Sequence, residues 1–148
     1  MGVREILQHP DPRLSQVCED ATEGEDFELL VDLVETMMAH KGMGLAAPQI
    51  GVLKRAFAVH DPKTATVYAL LNPRFVRKSH FKVWSYERCL SFAGVKDRTK
   101  VERSVSCTVE GISGHGKVVR IEAKDDLALA VQHEMDHLGG ITISKWRQ

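Results

Sequence analysis

The chain has 148 residues, 43% of them hydrophobic, which is long enough to bury the core of one domain and short for two. We therefore expect a single domain over residues 1–148. Twenty basic residues balance twenty acidic ones and form no run of lysine and arginine, so direct nucleic-acid binding is not expected. The sequence shows neither a signal peptide nor an apolar stretch of about 20 residues, which predicts a cytoplasmic protein without a membrane partner.

The first predicted element is an amphipathic helix from Phe27 to His40, where apolar residues recur at helical spacing and acidic residues take the other face. Gly42 follows at the position where a left-handed residue ends many helices, and a loop continues to Pro48. Five short segments rich in β-branched or aromatic residues then predict strands of antiparallel sheets. They are Arg55 to Val59, Val67 to Leu71, Phe75 to Phe81, Val101 to Val109 and Val118 to Ile121.

A second helix is predicted with Asp125 or Asp126 as its N-cap, and it ends at a pair of glycines. After this helix, Ile141, Ile143 and Trp146 predict a short edge strand. The order helix, strands, helix indicates an α+β fold. We expect antiparallel β-sheets packed around the second helix, with the amphipathic helix near the N-terminus.

The strongest local motif is His133-Glu134-Met135-Asp136-His137, within the second predicted helix. Residues four apart share one helical face, so both imidazoles can reach one metal ion, and Glu134 can point at a water molecule on that ion. The alternative is a surface helix that happens to carry two histidines. Catalytic sites usually supply three protein ligands, and neither histidine nor glutamate follows His137, so a third ligand is needed from elsewhere.

Cys89 is the candidate for this third ligand. The chain has three cysteines and no secretory signal, so a disulfide framework is a poor explanation for them. The charged neighbours Glu87 and Arg88 favour a thiolate at Cys89 over the alternative, a buried and small apolar side chain. Cys18 and Cys107 have no motif around them and are predicted to be structural.

The third motif is the stretch Gly42-Met43-Gly44-Leu45-Ala46-Ala47-Pro48-Gln49, which follows the first predicted helix. Its small residues allow a substrate backbone to approach closely, and the carboxamide of Gln49 can donate a hydrogen bond to a developing oxyanion. A flexible loop with a surface glutamine is the alternative interpretation.

Taken in order, GMGLAAPQ, ERCLS and HEMDH resemble three signature motifs of the peptide deformylases, and the likeness includes Val3 to Leu14. The resemblance implies metal-dependent hydrolysis of the N-formyl group from the N-terminal formyl-methionine of nascent polypeptides, with release of formate. It implies one divalent metal ion, Fe2+ first and Ni2+, Co2+ or Zn2+ as substitutes, held by Cys89, His133 and His137. Hydroxide supplied by the metal would be the nucleophile, and Glu134 would act as general base and acid.

The same resemblance gives roles to residues around the metal. The amide of Leu90 and the side chain of Gln49 would stabilise the oxyanion, and Gly44 would offer backbone hydrogen bonds to the substrate. Arg103 would pair with Asp136 behind the metal.

The resemblance also implies a substrate-binding region and a set of partners. Four residues match the family's substrate contacts: Met43, Leu129 and Ala130 in the methionine pocket, and Arg98 near the peptide. The implied partners are N-formyl-methionyl peptides and, transiently, the ribosome, and we expect a monomer.

The chain departs from the family pattern in three places, one of which is the absence of the family's proline soon after Ser91. Arg88 stands where the family has glycine, so either the backbone is ordinary there or the loop is altered. The long C-terminal helix of many members is missing, which suggests a short form of phage or organellar origin and weakens the expectation of ribosome docking. Two other functions are alternatives. A zinc endopeptidase is disfavoured by the missing downstream ligand, and a homologue that binds without turnover is disfavoured by the intact catalytic positions.

Overall fold

A computed structural model describes residues 2–147. Across this range the chain forms two α-helices and seven β-strands, joined by turns and short 3-10 helices. The helices are α1 (Phe27–Ala39) and α2 (Asp125–Leu138). The strands are β1 (Gly44–Ala46), β2 (Ala56–Asp61), β3 (Thr66–Lys78), β4 (Lys82–Glu87), β5 (Thr99–Ser104), β6 (Ser106–Ile112) and β7 (Val118–Lys124).

All the strand pairs are antiparallel and form two sheets. The larger sheet has the order β1-β2-β3-β6-β7, and β4 pairs with β5 in a separate hairpin. The α+β class and the antiparallel sheets predicted from the sequence are thus confirmed.

Both faces of the larger sheet are covered by a helix. On β2, Phe57 and Val59 belong to the buried cluster that includes α2, whereas Ala56 and Ala58 belong to the cluster that includes α1. Because side chains alternate along a strand, the first four residues of β2 are buried on both faces and read as a continuous apolar segment. Neither helix combines the length and the apolar character needed to span a membrane within the described residues.

Helix α2 also contacts the smaller sheet. The carboxamide of Gln132 accepts a hydrogen bond from the Ser104 amide at 2.9 Å and donates one to the Ser104 carbonyl at 2.8 Å. The side chain therefore pairs with β5 as a neighbouring strand would. As a result, α2 lies between the two sheets and is fixed to both.

Several strand boundaries differ from the prediction. β3 is one strand across Asn72 and Pro73, where two were predicted, because register shifts between Leu71 and Arg74 accommodate these residues. The predicted strand Val101 to Val109 is instead divided at Val105 into β5 and β6, which belong to different sheets. The short β1 and the largely exposed β4 were not predicted, because neither has the expected run of buried β-branched residues.

The helix ends also required correction. The left-handed residue after α1 is Lys41, with φ 54°, and not Gly42 as predicted, because α1 ends at Ala39 and not at His40. The Gly42 amide then donates a hydrogen bond to the Met37 carbonyl at 3.0 Å. Neither Asp125 nor Asp126 is the N-cap of α2. Lys124 occupies that position, and the Asp125 carboxylate pairs with Lys63 at 3.1 Å.

The predicted edge strand at the C-terminus is wrong, because residues Ile143–Trp146 form a 3-10 helix. The hydroxyl of Thr142 accepts a hydrogen bond from the Ser144 amide and caps this turn. Ile143 is buried with Cys89, Phe92 and Val101, and Ile141 is 38% exposed.

This difference predicts unequal effects of one substitution at two neighbouring positions. Ile143→Ala should lower the free energy of unfolding by about 2–5 kcal/mol, because it removes buried methyl groups and leaves a cavity. Ile141→Ala, the matched control, should change it by less than about 1 kcal/mol. Urea denaturation of the two variants would measure both values, and equal losses would contradict this packing.

Candidate metal centre and active-site cleft

Three metal-binding side chains converge between α2 and the turn that follows β4. The ligand atoms of Cys89, His133 and His137 all lie within 4.8 Å of one another, and Cys89 Sγ is 3.5 Å from His137 Nε2. The two histidines are one helical turn apart on α2, so their imidazoles point the same way. Cys89 directly precedes a 3-10 turn, Leu90–Phe92. Two imidazoles and one thiol are a donor set that suits one divalent transition-metal ion.

Glu87 fixes the orientation of His133. His133 Nδ1 lies 2.8 Å from Glu87 Oε1, so the imidazole donates to the carboxylate and its Nε2 remains free to face the cluster. Arg103 donates to both oxygens of Glu87, at 3.0 and 2.8 Å, and also pairs with Asp136, as the resemblance implied. Burial by itself would raise the pKa of Glu87, but the hydrogen bonds from Arg103 and His133 outweigh it and lower that pKa to about 2.

Glu134 is buried beside the cluster. Its Oε1 has no hydrogen-bond partner among the described residues. Burial raises the pKa of Glu134 to about 7, so this carboxyl group can exchange a proton near neutral pH. The backbone of Gly44 lies against it, and a Cβ atom at that position would come within 2.9 Å of Glu134 Cδ. The close approach explains why residue 44 is a glycine.

Gln49 points its amide nitrogen at the metal-binding turn. Its Oε1 accepts a hydrogen bond from the Ala46 amide at 2.9 Å, which fixes the carboxamide. Its Nε2 donates to Ser91 Oγ at 3.0 Å and lies 3.5 Å from Cys89 Sγ. The buried side chain is therefore a positioned donor, and the alternative of a loose surface glutamine is wrong.

A cleft of about 1180 Å³ opens above the cluster. Ten of the site residues that the sequence predicted line it, and the buried His137 does not. The ten are Met43, Gly44, Gln49, Cys89, Leu90, Arg98, Leu129, Ala130, His133 and Glu134. Arg88 also lines the cleft, and its backbone is not left-handed, so the substitution of the family's glycine does not require an altered conformation.

Two residues that carry no signal of their own in the sequence contribute to the site. In the sequence, Glu87 is only a charge near Cys89, and Ser91 is only part of the ERCLS motif. Their roles depend on contacts with His133 and Gln49, which are more than 40 residues away in sequence. Spacing along the chain carries no signal for such pairs.

A buried cluster of one thiol and two imidazoles, with a carboxyl group alongside and an open cleft above, defines a metal-dependent hydrolase. The family model described as Polypeptide deformylase matches residues 3–148. The peptide deformylase of Desulforudis audaxviator is 42% identical over 143 residues, which cover 95% of this chain and 91% of that protein. This chain therefore belongs to the polypeptide deformylase family, hydrolases that remove the N-formyl group from nascent polypeptides.

Solved structures support the same assignment. The peptide deformylase of Ehrlichia chaffeensis, in its crystal structure with actinonin, shares 33% sequence identity with this chain. The TM-score is 0.93, and the match covers 100% of this chain and 90% of that one. The enzyme of the Vibrio parahaemolyticus bacteriophage VP16T, also in complex with actinonin, is 34% identical, with a TM-score of 0.86 over 93% of this chain and 98% of that one.

Proposed function

We propose that residues 1–148 act as one catalytic domain that hydrolyses the formyl group of N-formyl-methionyl peptides and releases formate. The observation that carries this proposal is the convergence of Cys89, His133 and His137 within 4.8 Å, beside Glu134 on the floor of the cleft. The family relationship indicates N-formyl-methionyl peptides as the substrate class, and the cleft is large enough to hold the end of such a peptide.

In this proposal Cys89, His133 and His137 hold one divalent metal ion. Thiolate and imidazole ligands suit Fe2+, Co2+, Ni2+ and Zn2+, and the family resemblance favours Fe2+ among them. When bound, the ion lowers the pKa of a water molecule and polarises the formyl carbonyl.

The other residues of the cleft position the substrate and move the proton. Glu134 accepts a proton from the attacking water and returns it to the leaving amine, which a carboxyl group with a pKa of about 7 can do. The Gln49 side chain and the Leu90 amide donate hydrogen bonds to the oxyanion, and Gly44 binds the peptide backbone. The substrate-binding residues are Met43, Leu129 and Ala130 around the methionine side chain, with Arg98 further along the peptide.

The test is formate release by protein purified without oxygen and loaded with Fe2+ or Ni2+. We expect turnover of formyl-Met-Ala, little turnover of acetyl-Met-Ala, and loss of activity in chelator-treated protein. Cleavage inside an unformylated peptide would favour a zinc endopeptidase instead. Tight binding of formylated peptide without formate release would indicate a homologue that has lost catalysis.

Two further expectations concern partners. We propose that the protein is a monomer, which light scattering would test, and that any association with the ribosome is transient. Since actinonin binds the Ehrlichia chaffeensis and phage relatives, we also propose that it inhibits this chain.

Gln8 is expected to affect turnover although it bears no catalytic group. Its Nε2 donates to the Leu90 carbonyl at 2.9 Å, and its Oε1 accepts from the Ala93 amide at 3.0 Å, so it spans the turn that carries Leu90. Gln8→Ala should lower kcat for formyl-Met-Ala by about 10- to 100-fold, since a small displacement of an oxyanion donor is costly, and leave KM nearly unchanged.

The control for this variant is Gln16→Ala, another exposed glutamine, which lies outside the cleft. It should keep the wild-type kcat. A kcat for Gln8→Ala within twofold of wild type would show that the turn holds its position without Gln8. A loss of melting temperature or metal in parallel with kcat would mean that Gln8 only supports the fold.

A further inference from the structure

Both tryptophans of the chain lie at the surface and close to each other. Trp84 is 52% exposed and Trp146 is 36% exposed, and their rings meet edge to face at 6.3 Å. Tyr86, two residues after Trp84 on β4, is 58% exposed and lines the cleft. We call these three residues, Trp146, Trp84 and Tyr86, the aromatic track. Tyr and Trp are enriched at interfaces, and contiguous exposed apolar surface often marks an interaction site.

The alternation of β4 and β5 places the aromatic track on the outer face of the hairpin. Ser85 and Glu87 of β4 are buried against the body of the protein, so Trp84 and Tyr86 project from the opposite face. Cross-strand pairing puts Lys100 opposite Tyr86 and Glu102 opposite Trp84 on that same face. The track therefore begins in the cleft at Tyr86 and leads away from the metal cluster along the hairpin.

The aromatic track has cations beside it as well as the acidic Glu102, which stands opposite Trp84. Lys100 Nζ lies 4.5 Å above the Trp84 ring, and Lys145 Nζ lies 5.7 Å from the Trp146 ring. At Tyr86 the Arg98 guanidinium donates to the backbone carbonyl at 3.2 Å. The cleft lining also includes the cations Arg88 and Lys96, together with the acidic Glu5 and Asp126. Among the described residues, no salt bridge involves Lys100, Lys145, Arg88, Lys96 or Arg98. Their charge is therefore available to a ligand.

We propose that the aromatic track binds the downstream part of a formylated peptide and favours acidic and aromatic residues there. The inference rests on the proposed function, because the formyl-methionine end of the same peptide would occupy the cleft. An extended chain advances about 3.3 Å per residue, so the five positions from Cys89 back to Trp84 correspond to roughly five residues of peptide. Continuity with the cleft favours the peptide itself as the occupant over a second protein copy or an RNA strand.

The binding test uses tryptophan fluorescence, because both of the chain's tryptophans belong to the track. Metal-loaded protein carrying Glu134→Gln is titrated with three unhydrolysed peptides: formyl-Met-Ala, an acidic heptapeptide formyl-Met-Ala-Ser-Asp-Phe-Glu-Glu, and the same heptapeptide with lysine for each acid. We expect the acidic heptapeptide to change the emission and to bind tighter than its lysine counterpart, with no change in emission for the dipeptide.

The kinetic test compares Trp84→Ala with Phe81→Ala, an exposed aromatic residue outside the track that serves as the matched control. Trp84→Ala should raise KM for the acidic heptapeptide roughly three- to tenfold and leave formyl-Met-Ala unchanged. Trp84→Phe, which keeps an aromatic ring, should restore most of the affinity. Phe81→Ala should leave KM for both peptides unchanged.

These experiments distinguish a failure of the aromatic-track proposal from a failure of the proposed function. Equal KM values for the acidic heptapeptide in all the variants, or an emission that does not respond to it, would overturn the track while the cleft still deformylated formyl-Met-Ala. A wild-type protein that released no formate but showed the emission change would refute the proposed function and leave the track standing. If the tryptophan emission changed with protein concentration and not with peptide concentration, the aromatic track would bind a second copy of the chain. That result would overturn the proposal.

Discussion

Replacing Cys89 with serine is expected to remove tight metal binding and formate release together. A serine hydroxyl stays protonated near neutral pH, so it cannot replace the thiolate, and the ion would keep only His133 and His137. We expect metal affinity to fall by at least about 100-fold. This is more than the loss of a hydrogen-bond partner of a metal ligand usually costs. Metal content after dialysis, measured alongside formate release from formyl-Met-Ala, checks both parts of this prediction.

Two control variants make the result specific. Cys18→Ser changes a buried thiol that is not part of the cluster and should keep metal and turnover. Glu134→Gln should keep the metal, unlike a substitution of a ligand, because it removes only the proton acceptor. Its kcat should fall by about 10²- to 10⁴-fold. If Cys89→Ser held one ion per chain and turned over normally, a different third ligand would have to be found.

Arg103→Met is expected to destabilise the fold and weaken metal binding at once. Arg103 and Glu87 are both buried, so removing the guanidinium takes away the cation that donates to both oxygens of the Glu87 carboxylate and leaves it only the contact with His133. Breaking a buried pair in this way costs about 3–5 kcal/mol, and the freed Glu87 would no longer hold His133 in one orientation, a loss of about 10- to 100-fold in metal affinity. Urea denaturation of metal-free protein and a metal titration measure the two effects separately.

The comparison for this variant is Arg120→Met. Arg120 pairs with Glu110 on the exposed face of β6 and β7, where a salt bridge contributes at most about 1 kcal/mol. Adding Glu87→Gln to Arg103→Met should recover part of the lost stability, because the uncompensated charge is then gone. Similar losses in Arg103→Met and Arg120→Met would show that burial of the Glu87 pair does not matter.

The sequence predicted those features that depend on local periodicity. Helix α1 lies where apolar residues recur at helical spacing, and the two histidines of α2 meet because a helical turn separates them. The pairing of Arg103 with Asp136 was also anticipated, although only through the family resemblance.

The sequence could not predict features that depend on tertiary contacts. Val101 to Val109 reads as one segment rich in β-branched residues, and only the different partners of β5 and β6 reveal that it serves two sheets. Ile141 and Ile143 alternate like a strand, yet the Thr142 cap turns the chain into a 3-10 helix. The importance of Glu87 is likewise invisible in sequence, because it arises from His133 and Arg103, which come to it from two other elements.

The hydrogen bonds between Gln132 and Ser104 have a consequence for the solubility of the protein. β5 has β4 on one side only, and a strand with an open side can pair with a strand of another molecule and start aggregation. The Gln132 carboxamide occupies the amide and the carbonyl of Ser104, so α2 blocks part of that open side. The residue that does so directly precedes His133. The helix that carries His133 and His137 thus also shields the hairpin from intermolecular strand pairing.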